Sequence, residues 1–222
     1  MTRTAITLLA LLFLSVPAHA DGLEFALGLG ILNTSQGGPA YPGGDPATAL
    51  QLRIGGDHSP SYLRMTQWQF QAQSGSNADL RFTTAGAGLQ RSWWSRNHGF
   101  EGALGTELRV ERYVGHASLG EGPSPLEGQV TWMVRPWLRG QIGFRGILIP
   151  LGHPSTDLLA LLTQGGHYSH PFTRLEVAVP LWNQGGTGSA GALLHMAPRF
   201  EISIQFGMRF GSRAPGSPIP ES

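Results

Sequence analysis

Two sets of residues in this chain have types and spacings that suit chemistry. The first lies in Gly165 to Pro171, GGHYSHP, where His167 stands two residues before Ser169, and Glu176 follows further along. An imidazole, a hydroxyl and a carboxylate are the group types from which an activated nucleophile is built. His153, His167 and His170 also share one connection, and imidazole binds metals. No ligand spacing marks a site there, so they read as exposed loop histidines, and no metal or cofactor is expected. The second set is larger: Glu24, Arg53, Glu101, Glu107, Arg109, Glu111, Arg139, Arg145, Arg174, Glu176, Glu201 and Arg209. Glu and Arg are in near balance and lysine is absent. Multidentate groups of both signs suit a confined space in which every charge must be paired. The same set would serve to line a narrow passage for small solutes.

The elements that carry these residues are strands, because the recurring signal has period two. In LEFALGLGI, Leu23, Phe25, Leu27, Leu29 and Ile31 share a face. In TALQLRI, Leu50, Leu52 and Ile54 oppose Gln51 and Arg53. In QWQFQAQ, Trp68, Phe70 and Ala72 oppose Gln67, Gln69, Gln71 and Gln73. In FEGALGTELRVE, Phe100, Leu104, Leu108 and Val110 oppose Glu101, Glu107, Arg109 and Glu111. In LRGQIGFRGIL, Leu138, Ile142, Phe144 and Leu148 oppose Arg139, Gln141 and Arg145. In TRLEVAVPL, Leu175, Val177 and Val179 oppose Arg174 and Glu176. In RFEISIQFGMRF, Phe200, Ile202, Ile204, Phe206, Met208 and Phe210 oppose Glu201, Gln205 and Arg209. Weaker segments at Leu80 to Gln90, Leu126 to Val134 and Ser189 to His195 bring the expectation to about ten strands, with eight as the alternative. GLGLG lacks the strand–turn–helix setting of a nucleotide loop and reads instead as room for large side chains opposite.

The connections alternate in size. Thr34 to Pro46, Gly115 to Pro125 and Pro150 to His170 are long; Asp57 to Pro60, Ser95 to His98 and the tight turn Arg135 to Trp137 are short. Within Pro150 to His170, STDLLALLT suits two helical turns capped by Ser155 or Thr156.

Residues 1–20 read as a cleaved signal peptide. Arg3 precedes the apolar run Ala5 to Val16, and Ala18-His19-Ala20 is a small-x-small cleavage site. Residues 21–210 then form one domain, and the Pro/Gly/Ser-rich 211–222 is expected to be a disordered periplasmic tail. The chain has no cysteine, 13% charged residues, 32 glycines and a formal charge of +1. A soluble domain typically carries about 25% charged residues, and a near-neutral chain presents no field for nucleic acid.

An apolar face opposite an Arg/Glu face suits a barrel with lipid outside and a polar lumen. Strands of about ten residues suit the apolar thickness of an outer membrane. Trp93, Trp94, Phe100, Trp137, Trp182 and Phe210, with Tyr62, are expected at the short-turn end as one aromatic girdle. A soluble periplasmic β-protein with the apolar faces packed inward is the alternative.

On these features the chain resembles small up-and-down antiparallel β-barrels of the Gram-negative outer membrane. The resemblance implies an all-β transmembrane barrel in the outer membrane, among lipid and lipopolysaccharide, with both termini in the periplasm. It also implies that Ile202 to Phe210, ending in an aromatic residue, is read by the barrel assembly machinery. The expected role is structural, surface-interacting or porin-like, without enzymatic activity. His167-Tyr168-Ser169 separately resembles the His-x-Ser of lipid A deacylases. That resemblance implies Ser169 as nucleophile, His167 as general base and Glu176 as the acid that orients it, near the long-loop end where the outer leaflet lies. Alternation puts His167 and Ser169 on the lipid face and Glu176 on the lumen face, so a bulge would be needed to join them.

Overall fold

The computed structural model describes residues 22–34, 45–55, 60–72, 78–94, 99–117, 127–146, 149–150, 168–182 and 197–211. The strands are β1 (Gly22–Thr34), β2 (Asp45–Gly55), β3 (Ser61–Ala72), β4 (Ala78–Trp94), β5 (Phe100–Ala117), β6 (Val130–Arg145), β7 (Ile149–Pro150), β8 (Tyr168–Pro180) and β9 (Pro198–Gly211). Each of β1 to β5 pairs antiparallel with its successor, β6 pairs with β8, β8 with β9, and β9 with β1. Eight long strands therefore close on themselves, and two-residue β7 pairs with β8 at Ile149↔Ser169. Closure leaves no free strand edge.

The closed barrel has eight strands, not ten. Leu126 to Val134 and Leu138 to Leu148 are not two strands joined by a turn at Arg135-Pro136-Trp137; β6 runs straight through that tripeptide. Pro136 is tolerated because its carbonyl accepts from Leu181 N–H at 2.8 Å. Its missing N–H would point the same way, toward the place where Pro180 ends the β6–β8 ladder. Ser189 to His195 lies outside the described residues, and the ring closes without it.

Losing that turn reverses everything downstream. Gly22 and Gly211 pair at one end of the barrel, called here the terminal end. Tyr168 pairs with Gly211 there too, so β8 starts at the terminal end. Tyr168 and Ser169 are thus at the end opposite the one where β1, β3 and β5 finish. Trp182, just past β8, is at that opposite loop end, whereas Trp93, Phe100 and Phe210 are at the terminal end.

Outward positions form an apolar belt. Leu27 is 66% exposed, Leu104 54% and Phe206 50%. Inward positions hold buried Arg, Glu and Gln instead. Small residues make the room: Gly88 lies where any Cβ would collide with the Tyr62 ring.

Candidate functional site in the barrel lumen

Alternation within each strand aims every second side chain inward, and the register stacks these into three clusters. In the middle, Arg64 (β3) pairs with Glu107 (β5) at 3.0 Å and reaches across the lumen to Glu176 (β8). Arg139 (β6) takes the other oxygen of Glu176 at 2.9 Å and donates to Gln90 Oε1 at 2.6 Å. Arg109 (β5) bridges Glu107 at 2.9 Å and Glu201 (β9) at 2.8 Å. The Tyr62 hydroxyl donates to Glu107 at 2.9 Å, and Arg139 lies over the Tyr62 ring, 4.7 Å from its centroid.

Toward the loop end, Arg135 pairs with Glu111 at 2.7 Å, and the Trp137 indole N–H and Tyr113 hydroxyl donate to the same carboxylate. Arg109 and Arg135 both lie against the Trp137 ring, at 4.2 and 4.7 Å. Above them Trp68, Phe82 and Tyr113 stack in series, with centroids 6.1 and 5.2 Å apart. At the terminal end, Glu24 receives Arg174, Arg209 (3.2 Å) and Arg53 (4.0 Å). Glu101 receives Arg145 at 2.7 Å and Arg209 at 3.9 Å. Charges this deeply buried hold their places only when paired and hydrogen-bonded.

The structure places Glu101, Glu107, Arg109, Arg139, Arg145, Arg174, Glu201 and Arg209 together on the lumen side. It does not bring Ser169 and Glu176 together. Ser169 is buried, pairing with Ile149 and Phe210 at an outward register position, while Glu176 points inward between Arg64 and Arg139. His167 and His153 lie outside the described residues; His170 is buried on the lumen side, its backbone opposite Arg209. Among the described residues no group of three or more His, Asp or Glu is placed to hold a metal.

The aromatic assignments split. Trp93 is on the outer wall at the terminal end, with Gly102 beneath its ring. Phe100 meets Phe144 edge-on at 5.6 Å, and Phe210 meets Phe25 edge-on at 6.3 Å. The Trp94 side chain lies outside the described residues. Trp137 and Tyr62 are not girdle residues: both are fully buried in the lumen. Trp182 is exposed, but at the other end, along with Trp132. Faces are also exchanged on β3. Trp68 is inside and Gln67 and Gln69 outside, the reverse of the sequence expectation; the Phe70 and Ala72 side chains are outside the described residues.

Sequence reasoning also missed Arg64, Arg135 and Tyr113, and placed Tyr62 in the girdle rather than the lumen. The signal for Arg64 was present: Leu63 and Met65 flank it at outward spacing. Arg135 was hidden by reading its neighbour Pro136 as a turn.

No protein-family model matches the chain, and no curated sequence matches it. Solved structures to which the chain is similar include the following two. Neisserial surface protein A (NspA) is 9% identical, with 86% of this chain and 97% of that one covered, at a TM-score of 0.47. A major outer membrane protein from Thermus thermophilus is 10% identical, with 86% and 99% covered, also at 0.47. The closed ring of strand pairings by itself defines the fold.

Proposed function

We propose that this chain is an integral outer-membrane barrel with a plugged lumen, neither an enzyme nor an open pore, whose work is to hold its loop end at the membrane surface for structural or surface contacts. The observation that carries this reading is the inverted polarity of the wall: large apolar side chains exposed outside all round, and paired Arg and Glu buried inside. Soluble monomers rarely expose contiguous apolar patches beyond about 300–600 Å², whereas lipid requires this arrangement. Aromatic residues at both ends, Trp93, Phe100 and Phe144 against Trp132 and Trp182, suit the two interfaces of a bilayer. The cross-lumen pairs of Arg64, Arg109 and Arg139 fill the space a solute would need, as is usual at eight strands.

Cell fractionation tests the membrane assignment. Recovery in outer membranes, with faster gel mobility before boiling than after, is expected; recovery in the soluble periplasm overturns the proposal. In planar bilayers the pure protein is expected to give no steady conductance, and discrete single-channel steps would replace the plug with a pore. For the absence of an esterase, lipid A from cells carrying wild type and Ser169→Ala should give identical mass spectra. A difference of one acyl chain restores the deacylase.

A further inference from the structure

We propose that the outer face of β3, β4 and β5 at the loop end binds the phosphate-bearing headgroup of a membrane lipid. The wall is not uniform around the barrel at that end. On β8, β9 and β1 the outward positions there carry exposed apolar side chains, Val179, Leu181, Ile202 and Ile31. On β3, β4 and β5 they carry Gln67, Gln69, Arg81, Thr83 and Arg112, with Thr83 half-buried and the others exposed. Register gathers these five into one patch: Gln69 pairs with Arg81, Gln67 with Thr83, and Thr83 with Arg112. Arg81 is opposite Val114, so Arg81 and Arg112 are diagonal neighbours on adjacent strands. Their backbones stand about 7–8 Å apart on one face.

Two cations side by side repel, and an anion seated between them turns that repulsion into attraction. Among the described residues neither Arg81 nor Arg112 pairs with a carboxylate. Arg112 stands opposite Trp132 in register, with its guanidinium 5.8 Å from the ring centroid. Interfacial aromatic rings sit at headgroup level, which sets both guanidiniums at the depth of lipid phosphates. Guanidinium groups recognise phosphate through paired N–H donors, and Gln67, Gln69 and Thr83 add neutral donors on the same side. Two acidic residues bear on the test. Asp79 shares the outward parity of Arg81, its side chain outside the described residues, and Glu127 is exposed in the turn before β6. The site rests on the membrane reading proposed above and gives it a side: the β3–β5 wall holds one class of lipid by its headgroup, and the β8–β9–β1 wall meets acyl chains.

The test uses the full chain folded in neutral detergent, with diphosphoryl lipid A as the probe and dephosphorylated lipid A as its control. Native mass spectrometry reads the bound lipid, and gel mobility before boiling checks that each variant is folded. Wild type should retain the phosphorylated lipid and not the dephosphorylated one. Arg81→Gln with Arg112→Gln should weaken retention about thirtyfold, at about fivefold for each cation at a lipid surface. Should the double variant fail to fold, each single change should show its own loss, and no loss in either overturns the site. Arg91→Gln, the same change on the outer face of β4 toward the terminal end, should leave retention as in wild type. Equal retention of the two lipids by wild type, equal retention by the double variant, or as large a loss in Arg91→Gln overturns the site. Retention that appears only in Asp79→Asn with Glu127→Gln also overturns it, because the chain's own carboxylates would then fill the patch. The membrane assignment is read separately. Protein recovered in outer membranes that retains no lipid A overturns the site alone, whereas recovery in the soluble periplasm overturns both.

Discussion

Two zones of the same wall obey opposite rules. Through the belt, polar groups point in and apolar groups out: Arg109 and Glu176 against Leu104 and Val177. At the loop end of β3, β4 and β5 the order reverses. Trp68, Phe82 and Tyr113 stack inside, and Gln67, Gln69, Arg81, Thr83 and Arg112 point out. Strand length explains the change. A tilted strand crosses the apolar core in about 9–11 residues, but β4 has 17 and β5 has 18. On the proposed membrane reading the surplus stands beyond the belt, in water, and there the ordinary rule of a soluble barrel returns. One strand thus carries two amphipathic patterns of opposite sense, joined without a break in alternation.

The sharpest way to break this comparison is inside the belt zone. Glu176→Ala leaves Arg64 and Arg139 without their shared carboxylate. Removing one partner of a buried pair costs about 3–5 kcal/mol, and we expect a loss of that size in urea unfolding from lipid vesicles. A loss below about 1 kcal/mol, the level of an exposed pair, would show that water already screens the lumen.

The outer wall gives the next test, as a matched pair. Leu27→Arg puts a cation in the belt between its exposed register partners Leu50 and Phe206 and is expected to cost about 2–4 kcal/mol, the midplane value. Thr83→Arg adds the same side chain outward at the loop end, next to Gln67 and Arg112 in register, and is expected to cost about 0–1 kcal/mol, as near an interface. Equal costs would remove the boundary between the zones.

That boundary is also where the sequence stopped being legible. Period two identified the strands, and in β1, β2, β5, β8 and β9 the apolar side was correctly the outer one, because those segments lie mainly in the belt. QWQFQAQ alternates as cleanly as any, but alternation says only that two faces differ. Which face is inside depends on whether the segment is in the belt or above it, and that depends on where the strand starts. The start at Ser61 puts Tyr62, Arg64, Thr66 and Trp68 on one side, a set so mixed that neither face looks like a core. Pro136 shows the other limit. A proline between Arg and Trp reads as a turn from local rules, and only the end of the β6–β8 ladder makes it acceptable in a strand. That single residue moved the strand count, the end at which Ser169 lies and the lumen location of Trp137. The pairing of particular carboxylates with particular guanidiniums follows from register and barrel stagger, which no local pattern contains.

A smaller effect separates packing from hydrogen bonding inside the loop-end stack. Tyr113→Phe keeps the stack on Phe82 and removes a hydroxyl that donates to Glu111 and accepts from Arg135 Nη2 at 3.1 Å; Arg135 and Trp137 still serve Glu111. The expected cost is about 1–3 kcal/mol, two hydrogen bonds at a net worth of about 0.5–1.5 kcal/mol each. A much larger loss would mean that the hydroxyl, not the ring, organises that end.

The smallest expected effect lies on the outside of the same rim. Arg112 and Trp132 face outward from β5 and β6, with the guanidinium 5.8 Å from the ring centroid. An exposed cation–π contact contributes about 0.5–1 kcal/mol, so Arg112→Ala should lower stability by no more than that in neutral detergent. The value of the test is in its dependence on surroundings. If this rim stands at the level of lipid headgroups, as the aromatic positions support, Arg112 has a second partner in anionic lipid and the loss should grow when negatively charged lipid replaces neutral lipid. If the rim stands clear of the bilayer, the loss should be the same in both. The second outcome would keep the reversal of polarity but move the edge of the belt below Arg112, leaving more of β5 in water than in lipid.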